Sequence, residues 1–280
     1  MVLTELKEAL GLLRRLPALW ALGLAAGLLA AGIWLAYNDQ GTFFATRLVL
    51  IGSLVTVFFL AGNYAIIKSG TGSIREVCIG GIQYFFRVLL PLMVLIFCTI
   101  TLVALVTITL SFGGMPADTE FLGVFSICIF IPVVFLTFFF DTAAVFEDRK
   151  IFDAIRRSIE VVTLKSVQVF KFYVIAAAIS FAVTFALMIV WVAALYDKLE
   201  PLTHFNETQI AAFTPGQLAT MIGPDGTVVT AACLFIGILV LLPILSAYKA
   251  CFFRSISQGS VSTTQPMTGE FDSKGRWYKY

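Results

Sequence analysis

Long runs of apolar residues alternate with short polar segments along the chain. Each run is longer than the roughly 20 residues that an α-helix needs to cross the hydrocarbon layer of a bilayer. None shows the two-residue alternation of a spanning β-barrel. Because a helix satisfies its backbone hydrogen bonds within itself, the pattern predicts an all-α, polytopic membrane bundle of six transmembrane helices. The runs cover residues 16–37, 45–67, 88–110, 121–146, 170–196 and 228–253.

Three amphipathic stretches precede alternate runs. Residues 3–15 carry leucines at three- and four-residue spacing, which is typical of a helix lying in the membrane interface. Ser73 and Glu76 match a capping box and predict a second, short helix that precedes the third span. Asp148 can cap a third helix, which we expect to end near residue 166. The order is interfacial helix, span, span, three times over, so the layout predicts three repeated units.

The distribution of positive charge predicts the orientation. Of the 19 Lys and Arg residues, only Arg47 and Lys198 fall at the loops after the first, third and fifth runs. Cytoplasmic loops collect Lys and Arg, so we expect both termini in the cytoplasm. Residues 1–254 are predicted to form the transmembrane domain. The polar segment 255–280 is predicted to be a flexible cytoplasmic tail.

Composition narrows the function classes. Hydrophobic residues make up 59% of the chain and charged residues 13%, against roughly 45–50% and about 25% in soluble domains. The single histidine, His204, rules out a metal-binding histidine pair, and no phosphate-binding glycine pattern is present. We therefore expect no catalytic residues, no cofactor, no metal and no nucleic-acid partner.

Three polar side chains lie inside even-numbered runs, where such groups are candidates for function. Asn63, Asp141 and Lys249 each lie about a turn and a half before the cytoplasmic end of the run. At similar depth, Asp141 and Lys249 can neutralise one another and Asn63 can bond to either. One interpretation is a cytoplasm-facing pocket for an ion or a lipid headgroup. The other, which we favour, is a structural link between the repeats, since groups this near the interface also reach water.

The longest charged interruption reads DTAAVFEDRKIFDAIRRSIEVVTLKS and covers residues 141–166. Within it, Glu147, Arg149, Arg156 and Arg157 form a second candidate cluster, because guanidinium groups at a membrane surface can hold phosphate or anionic lipid. An ordinary basic cytoplasmic loop explains the same residues, and we favour that interpretation.

This interruption also carries a family resemblance. Glu147 follows a long apolar run, and a short gap then leads to the sequence Ala154-Ile155-Arg156-Arg157-Ser158. In these residues and in the six-span layout, the chain resembles the multi-pass membrane domain of glycerophosphodiester phosphodiesterases and its stand-alone prokaryotic relatives of unknown function. The resemblance implies the fold and a membrane location. It does not imply phosphodiesterase activity, because one histidine is too few for that active site.

Small residues on the first predicted span suggest a close helix contact. Gly23, Gly27 and Ala31 share one face at four-residue spacing, a pattern that lets helix backbones approach. Internal packing is the favoured interpretation, and self-association or contact with another membrane protein is the alternative. Asn206 begins an N-x-T sequon, which has meaning only in a cell that glycosylates.

We therefore expect a non-enzymatic protein of a prokaryotic plasma membrane, a scaffold or accessory subunit that contacts lipids and other membrane proteins. The alternative is a transporter or channel for a lipid or small solute that uses Asn63, Asp141 and Lys249. A water-filled cavity that reaches these side chains would favour transport. A dry, closed bundle would favour the scaffold.

Overall fold

The computed structural model describes residues 2–112, 119–206, 214–261, 269–271 and 277–279. Two 3-10 turns, Pro17–Leu19 and Glu200–His204, accompany the α-helices. Strands β1 (Gly269–Phe271) and β2 (Trp277–Lys279) pair antiparallel, with Gly269 opposite Lys279. The helices are α1 Val2–Arg15, α2 Trp20–Gln40, α3 Thr42–Ser69, α4 Ile74–Phe112, α5 Thr119–Thr137, α6 Phe140–Phe146, α7 Ile151–Leu164, α8 Ser166–Ala194, α9 Tyr196–Leu199 and α10 Pro215–Val261.

Six helical segments of the described chain are long and apolar enough to cross a membrane, which confirms the all-α polytopic bundle. They are Pro17–Asp39, Thr42–Ser69, Ile74–Leu110, Gly123–Phe146, Ser166–Ala194 and Thr220–Ser257. The fourth is made of α5 and α6, which are separated by a short turn. In α10, Gly223 has a left-handed φ of 63°, a conformation that glycine adopts without steric cost.

The interfacial helices differ in detail from the expectation. The capping box at Ser73 forms, since the Ser73 amide donates to Glu76 Oε2 over 3.2 Å. The helix it starts runs without a break into the third span as α4, through Gly80, Gly81 and Pro91. Asp148 does not cap α7: Lys150 is the N-cap residue, without a side-chain cap. The last helix continues to Val261, past the expected start of the tail.

The packed core lies at one end of the bundle, which we call the basic end. There α1, α7, the end of α3, the first part of α4 and the last turns of α10 come together. Helix α6 packs against α3, α4, α7 and α10, and so joins both sides of the bundle. The ring of Phe172 stacks on Tyr248 and on Phe252, each at 4.6 Å between centroids. Glu5 of α1, which lies outside the leucine stripe of this amphipathic helix, is also buried here.

The opposite half of the bundle is loosely packed. Helix α2 lies between α3 and α10 along its length, and α8 packs on α10. Helix α5 packs mainly on α4 and α7, and its contacts with α8 lie at the basic end, where Tyr173 donates to the Phe135 carbonyl over 2.9 Å. Farther along, Val124 of α5 and Phe181 of α8 are largely exposed. No hydrogen bond between α5 and α8 is found at this level among the described residues, in contrast to the basic end.

Candidate functional site

Asp141 and Lys249 form a buried ion pair, which we call the intramembrane pair. Lys249 Nζ lies 2.7 Å from Asp141 Oδ2, and the two side chains are only 10% and 6% exposed. Tyr64 donates its hydroxyl to the same oxygen over 3.1 Å, and the Thr142 amide donates to Oδ1 over 2.7 Å. Lys249 Nζ also lies 4.0 Å from the centroid of the Phe138 ring. The pair links α3, α6 and α10, and its polar atoms are engaged within the protein.

Asn63 does not join this pair, so the expectation of a three-residue cluster is wrong in this respect. Its amide nitrogen donates to the Leu19 carbonyl over 2.8 Å, where the 3-10 turn passes into α2. Its side-chain oxygen is buried and has no hydrogen-bond partner in the described part of the chain. The neighbouring residue, Tyr64, takes the place that we expected Asn63 to occupy. Asn63 therefore connects α3 to α2.

A break in the fourth span positions Asp141. Residues Phe138 and Phe139 form a turn between α5 and α6, which interrupts the helical hydrogen bonds there. Ser158 of α7 repairs the interruption: its hydroxyl accepts from the Phe139 amide at 2.9 Å and donates to the Leu136 carbonyl at 3.0 Å. Ser158 is fully buried. Its role in this structure is to satisfy backbone groups that would otherwise be buried and unpaired.

Glu147 fastens the segment after α6 to α7 and α10. Its carboxylate accepts from Arg157 Nε at 3.0 Å, Arg149 Nε at 3.1 Å and Ser257 Oγ at 2.7 Å. Burial alone would raise the pKa of Glu147, but the hydrogen bonds from Ser257 and Arg157 and the charge of Arg157 outweigh it, so the pKa lies below its ordinary value. Arg156 is not part of this cluster, because it pairs with Glu160 and is exposed.

Asp148 fastens the same segment to α3 and α4. Lys68 Nζ lies 2.5 Å from one carboxylate oxygen, and an Arg87 guanidinium nitrogen lies 2.7 Å from the other. Lys68 also donates to the Val145 carbonyl over 2.7 Å. Partial burial would raise the pKa of Asp148, but the hydrogen bond and charge of Lys68, with Arg87, hold it below its ordinary value. Asp148 has a φ of 53°, so these bonds fix a left-handed residue in the turn.

The small-residue face of α2 is used inside the molecule. A Cβ atom on Gly23 would collide with the Leu239 carbonyl oxygen of α10, and one on Gly27 would lie 2.9 Å from the Phe235 carbonyl oxygen. Both glycines therefore permit the close contact between α2 and α10, which is the internal-packing interpretation.

Three adjoining grooves line the loosely packed half, with volumes of about 590, 440 and 370 Å³. They are lined by α2, α3, α8 and α10, and by no residue of the intramembrane pair. We call their common surface the apolar wall. Its residues, each shared by two grooves, are Ala30, Ile33, Val49, Leu234, Ile238 and Leu241.

The described residues contain no group of three or more His, Cys, Asp or Glu side chains placed to hold a metal ion. The fold defines a polytopic helical membrane protein in which Asp141 and Lys249 form a buried ion pair. The chain matches no protein-family model, no curated protein and no solved structure.

Proposed function

We propose that this protein is a non-enzymatic scaffold or accessory subunit of a prokaryotic plasma membrane that binds another membrane protein laterally, along the apolar wall. The observation that carries the proposal is the contrast between the two halves of the bundle. The basic end is densely packed, while the wall in the other half is covered by neither α4 nor α5. Helices associate in lipid through close packing, and grooves between helices can receive a partner's side chains.

The pairing of Asp141 with Lys249 supports a scaffold. Asp141 and Lys249 neutralise one another, and Tyr64 occupies the remaining side of the carboxylate. A carrier or channel that used this pair would need a polar route to it, whereas neither Asp141 nor Lys249 lines any of the three grooves. The pair therefore serves as a structural link, but it does so as a buried pair and not by reaching water, which was the reason we expected.

The alternative function is transport of a lipid or small solute. The specific observation in its favour is that four hydroxyl-bearing residues line the same grooves. They are Ser53 and Thr56 of α3, Thr184 of α8 and Thr230 of α10. These hydroxyls offer polar contacts to a lipid that enters between α5 and α8. The packed basic end, however, gives such a lipid no exit on that side in this conformation.

Site-specific photocrosslinking in cell membranes tests the proposal. A photoreactive amino acid replaces Val49 or Leu234 of the wall or, as matched controls, Leu24 or Leu28, which are exposed on α2 and line none of these grooves. The expected result is a discrete protein adduct from the wall positions, with the crosslinked peptide in an apolar spanning segment of the partner, and none from the controls. Equal protein adducts from all four positions would contradict the proposal. Lipid adducts confined to the wall would favour transport.

A further inference from the structure

A groove of about 580 Å³ lies at the basic end, between α4 and the start of α7. We call it the interfacial groove. Its position spans the edge of the hydrocarbon layer, because Leu90 lies within the third span whereas Arg149 lies beyond the end of the fourth. A ligand in it would therefore contact both environments. The lining residues are Phe86, Arg87, Leu90, Asp148, Arg149, Lys150, Ile151, Phe152 and Asp153.

Three cations face this groove, and two are held in place. Arg87 is anchored by Asp148 and Arg149 by Glu147, yet their side chains remain 46% and 49% exposed. Each gives a single nitrogen to its carboxylate, so most N–H donors of both guanidinium groups stay available. Lys150 is exposed as well. Held guanidinium groups with spare donors suit phosphate, which accepts several charge-assisted hydrogen bonds.

The other wall of the groove is apolar and open to the bilayer. Phe86 and Phe152 are 63% and 72% exposed, and Leu90 lies one turn further into the span. Aromatic side chains at this depth are typical of the boundary between headgroups and acyl chains. The groove thus offers cations on the side nearer water and apolar contacts on the side nearer the bilayer centre. A phospholipid has its charged headgroup and its acyl chains in the same order.

We propose that the interfacial groove binds the headgroup of an anionic phospholipid. The lining carries three cations against two carboxylates, and one of those, Asp148, is already shared between Arg87 and Lys68. The charge balance favours an anionic over a zwitterionic headgroup. Asp153 is the lining carboxylate without a cation partner in the described residues, so it opposes the ligand's charge.

Native mass spectrometry of the detergent-purified protein tests this, with phosphatidylglycerol and phosphatidylcholine of identical acyl chains as probes. The wild type should retain phosphatidylglycerol preferentially. R149Q and K150Q should each weaken that binding about five-fold, since one basic side chain at a membrane surface is worth about 1 kcal/mol. D153N should strengthen it. R149K keeps the charge but loses the guanidinium donors, so it should bind more phosphatidylglycerol than R149Q and less than the wild type. Circular dichroism checks that each variant is folded.

Two matched controls separate a site from general surface charge. K171Q removes a cation from a different groove at the same end, one lined by α1 and α8, and R156Q removes an exposed arginine of α7 that pairs with Glu160 and does not line the interfacial groove. Neither should change phosphatidylglycerol binding. Equal retention of both lipids, or equal losses in R156Q and R149Q, would overturn the proposal. Displacement of the lipid by the same concentration of inorganic phosphate would also overturn it, because the groove would then bind a free anion.

Discussion

The intramembrane pair predicts a distinctive pattern of stability when its charges are removed. In K249M, the Asp141 carboxylate would stay buried at the basic end with only Tyr64 and the Thr142 amide as partners. In D141N, the Lys249 ammonium would stay buried with no carboxylate beside it. Leaving one member of a buried ion pair uncompensated costs about 3–5 kcal/mol, whereas replacing both members with uncharged side chains of similar size is often nearly neutral.

The magnitude needs little correction for solvent, because the two side chains are 10% and 6% exposed. We therefore expect each single variant to lose about 3–5 kcal/mol and the double variant D141N/K249M to lose much less than either. Equilibrium unfolding in mixed micelles, titrated with a denaturing detergent and followed by circular dichroism, measures the three free energies. The double-mutant cycle then gives the coupling energy directly.

The matched control is the exposed pair between Arg156 and Glu160, which are 3.0 Å apart on the surface of α7. R156Q should cost less than about 1 kcal/mol, as surface pairs do. The reasoning is refuted if the losses in D141N and K249M simply add in the double variant, or if K249M costs no more than R156Q. Either result would mean that Lys249 reaches water in the folded protein.

Three further predictions concern the basic end and the α2–α10 contact. S158A should lower the free energy of unfolding by about 1–3 kcal/mol, because it leaves two buried backbone groups unpaired. It should also speed amide exchange at the helix break. The control S180A should have little effect on unfolding, because the Ser180 hydroxyl bonds only within its own helix. G23A should destabilise the protein by about 1–3 kcal/mol through overpacking, whereas G32A, with open space around it, should be neutral or stabilising in the same unfolding titration. The lowered pKa of Glu147 means that its stabilisation is complete above the carboxyl's unfolded value of about 4.3 and is lost as the pH falls through the folded value. Thermal unfolding between about pH 7 and pH 3 should therefore show a smaller acid loss in E147Q, and equal losses would contradict this.

The spans and the ion pair follow from the sequence because both depend on depth along a helix. Run length sets the number of crossings, and equal distance from the end of a run places Asp141 level with Lys249. Depth does not fix rotation about the helix axis, however, and successive residues point about 100° apart. Asn63 has the right depth but the wrong direction, and Tyr64 has the right direction. Lys68 follows Tyr64 by four residues and therefore lies on the same face of α3. A polar residue at that spacing could have indicated which face of α3 points towards the buried pair.

The break in the fourth span could not be predicted from the residues at the break. Phe138 and Phe139 have no helix-breaking character, and Pro132, where we would look for a bend, lies inside α5. The turn forms because Ser158 on a different helix satisfies the backbone groups that it frees. A sequence motif can mark Ser158 as special, but only the folded chain shows which atoms it serves. Likewise, apolar residues facing lipid and those facing the core look alike in sequence.

The unequal packing of the two ends has a physical cause in the repeated layout. Each unit brings an amphipathic stretch to the basic end, in α1, the start of α4 and α7, and their apolar faces gain from burial out of water. The opposite half consists mainly of spans, and lipid tails compete equally for their side chains, so hydrophobicity does not draw them together. Contact there needs small residues, as Gly23 and Gly27 supply between α2 and α10. The apolar wall lies in this half and is covered by neither α4 nor α5. Substitutions at the basic end should therefore mainly lower the stability of the fold. Substitutions along the apolar wall should mainly weaken association with a partner.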